Sequence, residues 1–209
     1  MIDQFSKQDL NSCLTRSKDY GFLSPQDINY QIEHSADFLD SIGITNGTAV
    51  DIGAGGGLPS LVWLWKCPEM NILAIDSMEK RTNFLKDIAD EYKDLNERFT
   101  VLNARVETLG NNHKYREQFD TVVSRGFGSP AVTAECSSGL LKVNGTLYVS
   151  GRPENEELRW DKKQLELLGL EFEEVRTGKY SHVAVLTKRK ELDHTYPRTT
   201  KQISKKPLW

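Results

Sequence analysis

Residues Val50–Ser60 read VDIGAGGGLPS: an apolar strand closed by an acid, glycine at Gly53, Gly55, Gly56 and Gly57, then an apolar run of helical character. Glycine admits positive φ and lets a backbone approach a ligand closely, and the first amides of a helix have no partner inside it. The string therefore predicts a strand–turn–helix unit whose turn cradles a nucleotide. The dinucleotide spacing G-x-G-x-x-G is not met. Counted from Gly53 it puts Leu58 where the third glycine should stand, and counted from Gly55 it ends on Ser60 with Gly56 and Pro59 inside the turn. What remains is D-x-G-x-G-x-G, running from Asp51 to Gly57.

A second anchor lies about twenty residues further on. Asp76 closes the apolar stretch Ile72-Leu73-Ala74-Ile75, and an acid at the carboxyl end of a second strand can accept hydrogen bonds from both hydroxyls of a ribose. Alone, such an acid serves equally well as the N-cap of the next helix. Beside the glycine turn, ligand contact is the favoured reading.

The rest of the chain alternates strand and helix signals, which predicts an α/β fold with a mostly parallel sheet. A helical segment over roughly Ser24–Ser41 precedes strands at Thr48–Asp51, Asn71–Asp76, Phe99–Asn103, Phe119–Ser124 and Thr146–Ser150. Helices are expected at Leu58–Lys66, Lys80–Leu95, Pro130–Lys142 and Glu154–Leu168, the last capped by Gly169. Glu171–Arg176 and His182–Thr187 read as a closing antiparallel hairpin. Phe84, Leu85, Ile88 and Tyr92 recur at helical spacing and belong to the core. Three segments follow: a helical residues 1–45, a ligand-binding domain 46–190, and a basic arm 191–209.

Charge is unevenly distributed. The formal net charge is -3, which argues against indiscriminate coating of nucleic acid. Yet from Thr187 to Trp209 seven basic side chains face two acidic ones. Cys13, Cys67 and Cys136 are scattered and lack C-x-x-C spacing, so they read as thiols of a reducing compartment. The four histidines show no metal-ligand pairing, and no metal is expected. Met1-Ile2-Asp3-Gln4 is too polar to begin a secretory leader, and the apolar run Leu61–Trp65 is too short for a bilayer, so no membrane association is expected and the compartment is read as cytoplasmic.

Several short strings together narrow the reading. D-x-G-x-G-x-G resembles motif I of the class I S-adenosylmethionine-dependent methyltransferases, with their Rossmann-like sheet. Beyond it stand Asp76-Ser77 with Lys80-Arg81, then Ala104-Arg105-Val106-Glu107, Ser124-Arg125-Gly126-Phe127, Tyr196-Pro197-Arg198 and Lys205-Lys206-Pro207-Leu208. From about His34 onward, these resemble the bacterial small-subunit ribosomal RNA guanine methyltransferases, which modify nitrogen 7 of one guanine in 16S RNA. The resemblance implies S-adenosylmethionine as cofactor and ribosomal RNA or the small subunit as partner. It sets Gly53, Leu58, Val106, Glu107 and Arg125 against the cofactor, alongside Asp51, Gly55 and Gly57 of the turn and the Asp76 clamp. RNA contact falls to Lys80, Arg81, Arg152, Arg198, Lys205 and Lys206. Arg125 and Arg198 are the candidate catalytic organisers, since nitrogen 7 of guanine carries no proton and its methylation needs no general base. Departures from the family pattern include Phe38 for a serine, Ser60 for a glycine (a change expected to be silent), and Ser150-Gly151-Arg152 where Leu-Lys-Gly is common. Two alternatives stay open: a methyltransferase of small molecules, and a cofactor binder without turnover.

Overall fold

The structure, a computed structural model, describes residues 4–209; Met1–Asp3, which entered the reading of the amino terminus, lie outside the described residues. Two helices come first, α1 (Lys7–Asp19) and α2 (Ile28–Ile42). There follow β1 (Asn46–Ile52), α3 (Ser60–Lys66), β2 (Glu69–Asp76), α4 (Glu79–Glu91), the single turn α5 (Lys93–Asn96) and β3 (Phe99–Asn103). The second half holds α6 (Val106–Gly110), β4 (Phe119–Ser124), α7 (Pro130–Ser138), β5 (Leu141–Ser150), α8 (Lys162–Leu167), β6 (Leu170–Thr177), β7 (His182–Lys188) and α9 (Thr200–Lys205).

The strands form one sheet in the order β3-β2-β1-β4-β5-β7-β6, parallel throughout except for β7, which runs antiparallel to both neighbours. Strand order reverses at β1 and β4, and their carboxyl ends are where an open α/β sheet leaves a crevice. Both faces of the sheet are covered. One carries Phe5, Leu14, Phe38, Trp63 and Phe84, and the other Val50, Ile75, Leu140, Trp160 and Ile203. Strands covered on both faces read as near-continuous apolar runs, as Ile72–Ile75 does.

The expected α/β sheet with its antiparallel hairpin is present, and several local differences have physical causes. Within the amino-terminal segment read as helical, a separate helix ahead of Ser24, α1, was not anticipated. A capping box starts it, in which the Ser6 hydroxyl accepts from the Asp9 amide and the Asp9 carboxylate accepts from the Ser6 amide, 2.9 Å away. The helix expected over Pro130–Lys142 stops at Ser138, because Leu141 already pairs with Phe119. Asn144-Gly145, between the expected helix and the expected strand, is a bulge inside β5, with Asn144 at φ 70°. The helix expected over Glu154–Leu168 is a 3-10 turn at Glu157–Arg159 and the short α8. Glu156 breaks it: its buried carboxylate accepts from the Arg152 amide, the Arg159 guanidinium and the Trp160 indole, and Asp161 then caps α8 afresh.

The basic arm is held against the body. Arg116 reaches the carbonyls of Leu192 and Tyr196 at 2.9 and 2.8 Å, Asn111 reaches that of Pro197 at 2.8 Å, and the Trp209 indole donates to the Arg159 carbonyl. Between these ties lies α9, packed on the α6–α7 face of the sheet.

Candidate active site

The glycine turn leaves β1 with its backbone hooked onto β2: the amides of Gly53 and Ala54 both donate to the Ile75 carbonyl, at 2.8 and 3.1 Å. Gly53 has φ 72°, and a Cβ there would stand 2.7 Å from the Phe127 ring. Only glycine meets both conditions. On the outer side of the turn, Ser17 of α1 donates to the Gly56 carbonyl at 2.8 Å, and a Cβ on Gly56 would meet the Ser17 hydroxyl at 2.3 Å. The amino-terminal segment is thus a buttress of the turn.

Asp51 lies beneath the turn and is 1% exposed. Its Oδ2 accepts from the Ser60 hydroxyl at 2.5 Å, and its Oδ1 is buried without a partner. Ser60 is therefore not silent: its hydroxyl gives the buried acid a hydrogen bond that a glycine could not supply. Burial pushes the Asp51 carboxyl up to about 7, against the pull of the Ser60 hydrogen bonds and the Arg125 charge. An acid raised in this way contributes stability that is complete below its unfolded pKa, near 4, and is lost as pH rises to about 7. Comparing the melting of wild type and Asp51→Asn from pH 4 to pH 8 should show the wild type losing ground by up to about 4 kcal/mol across that window. A constant difference would mean that Asp51 titrates normally.

Beyond the turn a cavity of about 300 Å³ opens at the carboxyl ends of β1, β2 and β3. Gly53, Ile75, Asp76, Val106, Glu107 and Phe127 line it, and α9 walls it with Thr200, Ile203 and Ser204. Asp76 is 6% exposed; one carboxylate oxygen accepts from the Gly55 amide at 3.0 Å and the other from the Met78 amide at 2.8 Å. It holds the turn ahead of α4, whose N-cap is Met78 and not Asp76, and it also lines the cavity. Each oxygen keeps a lone pair for a ligand hydroxyl. Arg81 approaches Asp76 to 3.7 Å, and its Nε is buried without a partner.

Glu107 in the first turn of α6 is closed off from two sides. One oxygen accepts from the Thr200 hydroxyl, and the other lies 3.8 Å from the Cys136 thiol. Burial and then the Glu107 charge push that thiol far above its ordinary range, so it is no nucleophile.

Of the residues expected at the cofactor, the structure brings Gly53, Asp76, Val106 and Glu107 to this cavity; Asp51, Gly55, Gly57, Leu58 and Arg125 do not line it. Gly55 contributes its amide to Asp76, and Leu58 is in the core. Arg125 leaves β4 beside Gly53, since Ser124 is the register partner of Ile52. Burial lowers its guanidinium from the ordinary arginine range, opposed by the Asp51 charge. Arg198 is committed elsewhere. Its backbone amide and Nε donate to Glu135 Oε1 at 2.9 and 2.8 Å, and Nη2 donates to Oε2 at 2.6 Å, on a carboxylate with no exposure. That geometry supplies an anchor; a direct part in catalysis or RNA contact would require the ion pair to open. Among the expected RNA contacts, Arg81 lines the cavity, Lys80 is its exposed neighbour, Lys205 and Lys206 follow Ser204 at the end of α9, and Arg152 is exposed after β5. Sequence reasoning missed Phe127 and the α9 residues as cavity walls. Only the position of Phe127 shortly after a strand end offered a signal.

The cavity fits S-adenosylmethionine. It pairs the Asp76 carboxylate with apolar walls at Ile75, Val106 and Phe127, and a Cβ on Gly53 would meet the Phe127 ring. Among the described residues, no group of three His, Cys, Asp or Glu could hold a metal, and no helix is long and apolar enough to cross a membrane.

A family model described as rRNA small subunit methyltransferase G matches residues 8–185. The chain belongs to that family. Ribosomal RNA small subunit methyltransferase G of Lactococcus lactis subsp. cremoris is 36% identical over 165 residues, spanning 76% of this chain and 68% of its own length. The relative of the same description from Acetivibrio thermocellus is 34% identical over 183 residues, 82% of this chain and 75% of its own. Precorrin-6y C5,15-methyltransferase from Geobacter metallireducens shares the fold, with a TM-score of 0.55 at 17% identity, covering 81% of this chain and 95% of that one. That likeness speaks for fold alone.

Proposed function

We propose that this protein transfers the methyl group of S-adenosylmethionine to nitrogen 7 of a guanine in small-subunit ribosomal RNA. Membership of the rRNA small subunit methyltransferase G family carries the reading. The cavity beside the glycine turn supports it. When bound, the cofactor supplies an electrophilic methyl on a sulfonium. Asp76 would hold the ribose, Gly53 would let the backbone close on the ligand, and Val106 and Phe127 would flank the adenine.

This acceptor asks for no general base, because the attacking nitrogen presents a lone pair. The rate enhancement then comes from placement, and a near-attack arrangement of two bound reactants can supply about 7–11 kcal/mol. Arg125, at the reversal between β1 and β4, would orient the reacting groups. Arg81 and Arg105 at the rim, with Lys80, Lys205 and Lys206 beside it, offer charge for RNA phosphates.

The test is incubation with S-adenosylmethionine carrying a labelled methyl and small ribosomal subunits lacking native guanine methylation, followed by nucleoside mass spectrometry. Label in 7-methylguanosine is expected. Label in a different nucleoside would reject the proposed atom, and cofactor binding without any label would reject the RNA as acceptor.

A further inference from the structure

The carboxyl edge of the sheet carries a second group of side chains that the cofactor cavity does not use. Tyr30 and His34 stand one turn apart on α2, with ring centroids 6.2 Å apart. Tyr180, in the turn between β6 and β7, meets Tyr30 edge to face at 6.1 Å. The turn bearing Tyr180 is fixed from below. Asp37, also on α2, accepts from the amides of Lys179, Tyr180 and Ser181 and from the Ser181 hydroxyl, all within 2.7–2.9 Å. Lys179 lies 4.5 Å from the centre of the Tyr180 ring.

Three observations set this group apart from ordinary packing. Tyr30 remains 42% exposed although two rings adjoin it. His34 Nδ1 is buried with no hydrogen-bond partner. The Arg125 guanidinium, close enough for its charge to act on His34 and to feel Tyr30, makes no hydrogen bond or ion pair among the described residues. Buried polar groups are normally satisfied, and those that are not call for a ligand or water. Here one such group, with the half-buried Arg125 guanidinium near it, sits beside an open aromatic face.

The location connects them to the chemistry. Arg125 and Gly53 leave adjacent parallel strands, and two residues after Arg125 the Phe127 ring lies against the glycine turn inside the cofactor cavity. One short loop therefore carries Phe127 to the cofactor and Arg125 to the Tyr30 group. A methyl acceptor has to reach the cofactor from close by, and an unpaired nucleobase is read by stacking on an aromatic ring with hydrogen bonds to its edge.

We infer that Tyr30, His34 and Tyr180, with Arg125 at their inner side, form the receptor for the unpaired acceptor base of the RNA. The base stacks on Tyr30. Arg125 donates to its carbonyl oxygen, His34 Nδ1 completes the polar edge, and Lys179 meets an adjoining phosphate. The inference rests on the ribosomal RNA reading, gives its Arg125 a specific partner atom, and assigns parts to Tyr30, His34, Lys179 and Tyr180, which that reading does not use.

The experiment measures steady-state methylation of unmethylated small subunits by wild type, Tyr30→Ala, Tyr30→Leu, Tyr30→Phe and Tyr180→Ala, together with the affinity of each for S-adenosylhomocysteine. Loss of a stacking ring is expected to raise KM for the subunits roughly ten- to hundredfold in the Ala and Leu variants. Tyr30→Phe should stay near wild type, and S-adenosylhomocysteine should bind all five proteins alike. The leucine variant keeps bulk on α2, so it separates stacking from packing: wild-type KM in Tyr30→Leu overturns the receptor while leaving the ribosomal reading intact. A wild type that methylates no nucleoside of the subunit removes both.

Discussion

Replacing Arg198 by alanine is expected to cost the fold about 3–5 kcal/mol, because it strands the Glu135 carboxylate in the interior without its counterion. Glu135 has no exposed surface, and three donors of Arg198 are its partners. For a domain of this size the loss corresponds to a fall in melting temperature of about 6–20 °C. The double variant Glu135→Leu, Arg198→Met should recover much of it, since replacing a buried pair with apolar groups is often neutral. Urea unfolding of the three proteins decides the matter. A single variant within 1 kcal/mol of wild type would show that the ion pair opens readily, and Arg198 would then be available to the substrate.

Asp76→Ala is expected to lower affinity for S-adenosylmethionine by about two to four orders of magnitude. Two charge-assisted hydrogen bonds from the ribose, each contributing about 1.5–3 kcal/mol, would be lost. Part of the loss is indirect, since the same carboxylate holds the Gly55 amide at 3.0 Å and so keeps the glycine turn in shape. Asp76→Asn retains one acceptor and should fall between the two. Titration calorimetry with S-adenosylhomocysteine reads both, and an alanine variant within threefold of wild type would place the ribose away from this acid.

The parts of the fold visible in the sequence were those set by short-range patterns. β3 and β4 run over the residues that their apolar stretches marked, Phe99–Asn103 and Phe119–Ser124. The closing hairpin differs from its expected limits by one residue at most of its ends. A local signal was passed over at Ser6 and Asp9, whose spacing announces the start of α1. Other features had no local signal. Glu135 and Arg198 are 63 residues apart, and Thr200 meets a glutamate 93 residues away. Nothing in a run of lysines distinguishes an arm in solvent from one folded over a cavity. Asn144-Gly145 shows the opposite failure: the dipeptide did mark a backbone irregularity, but pairing of Leu141 with Phe119 turned it into a bulge inside a strand. For the site, the glycine pattern identified the turn, while the division of its residues between ligand and support depended on packing from α1 and α9.

The wall that Thr200, Ile203 and Ser204 give the cavity has a consequence for biosynthesis. The chain emerges from the ribosome amino terminus first, so the glycine turn, its Ser17 buttress and Asp76 are all available while residues near 200 are still being joined. A nascent chain at that stage holds a cofactor site open on one side. Completion of the pocket waits for Thr200–Ser204 to leave the exit tunnel, and premature termination just before Thr200 would release a protein with all seven strands of its sheet and an unfinished site.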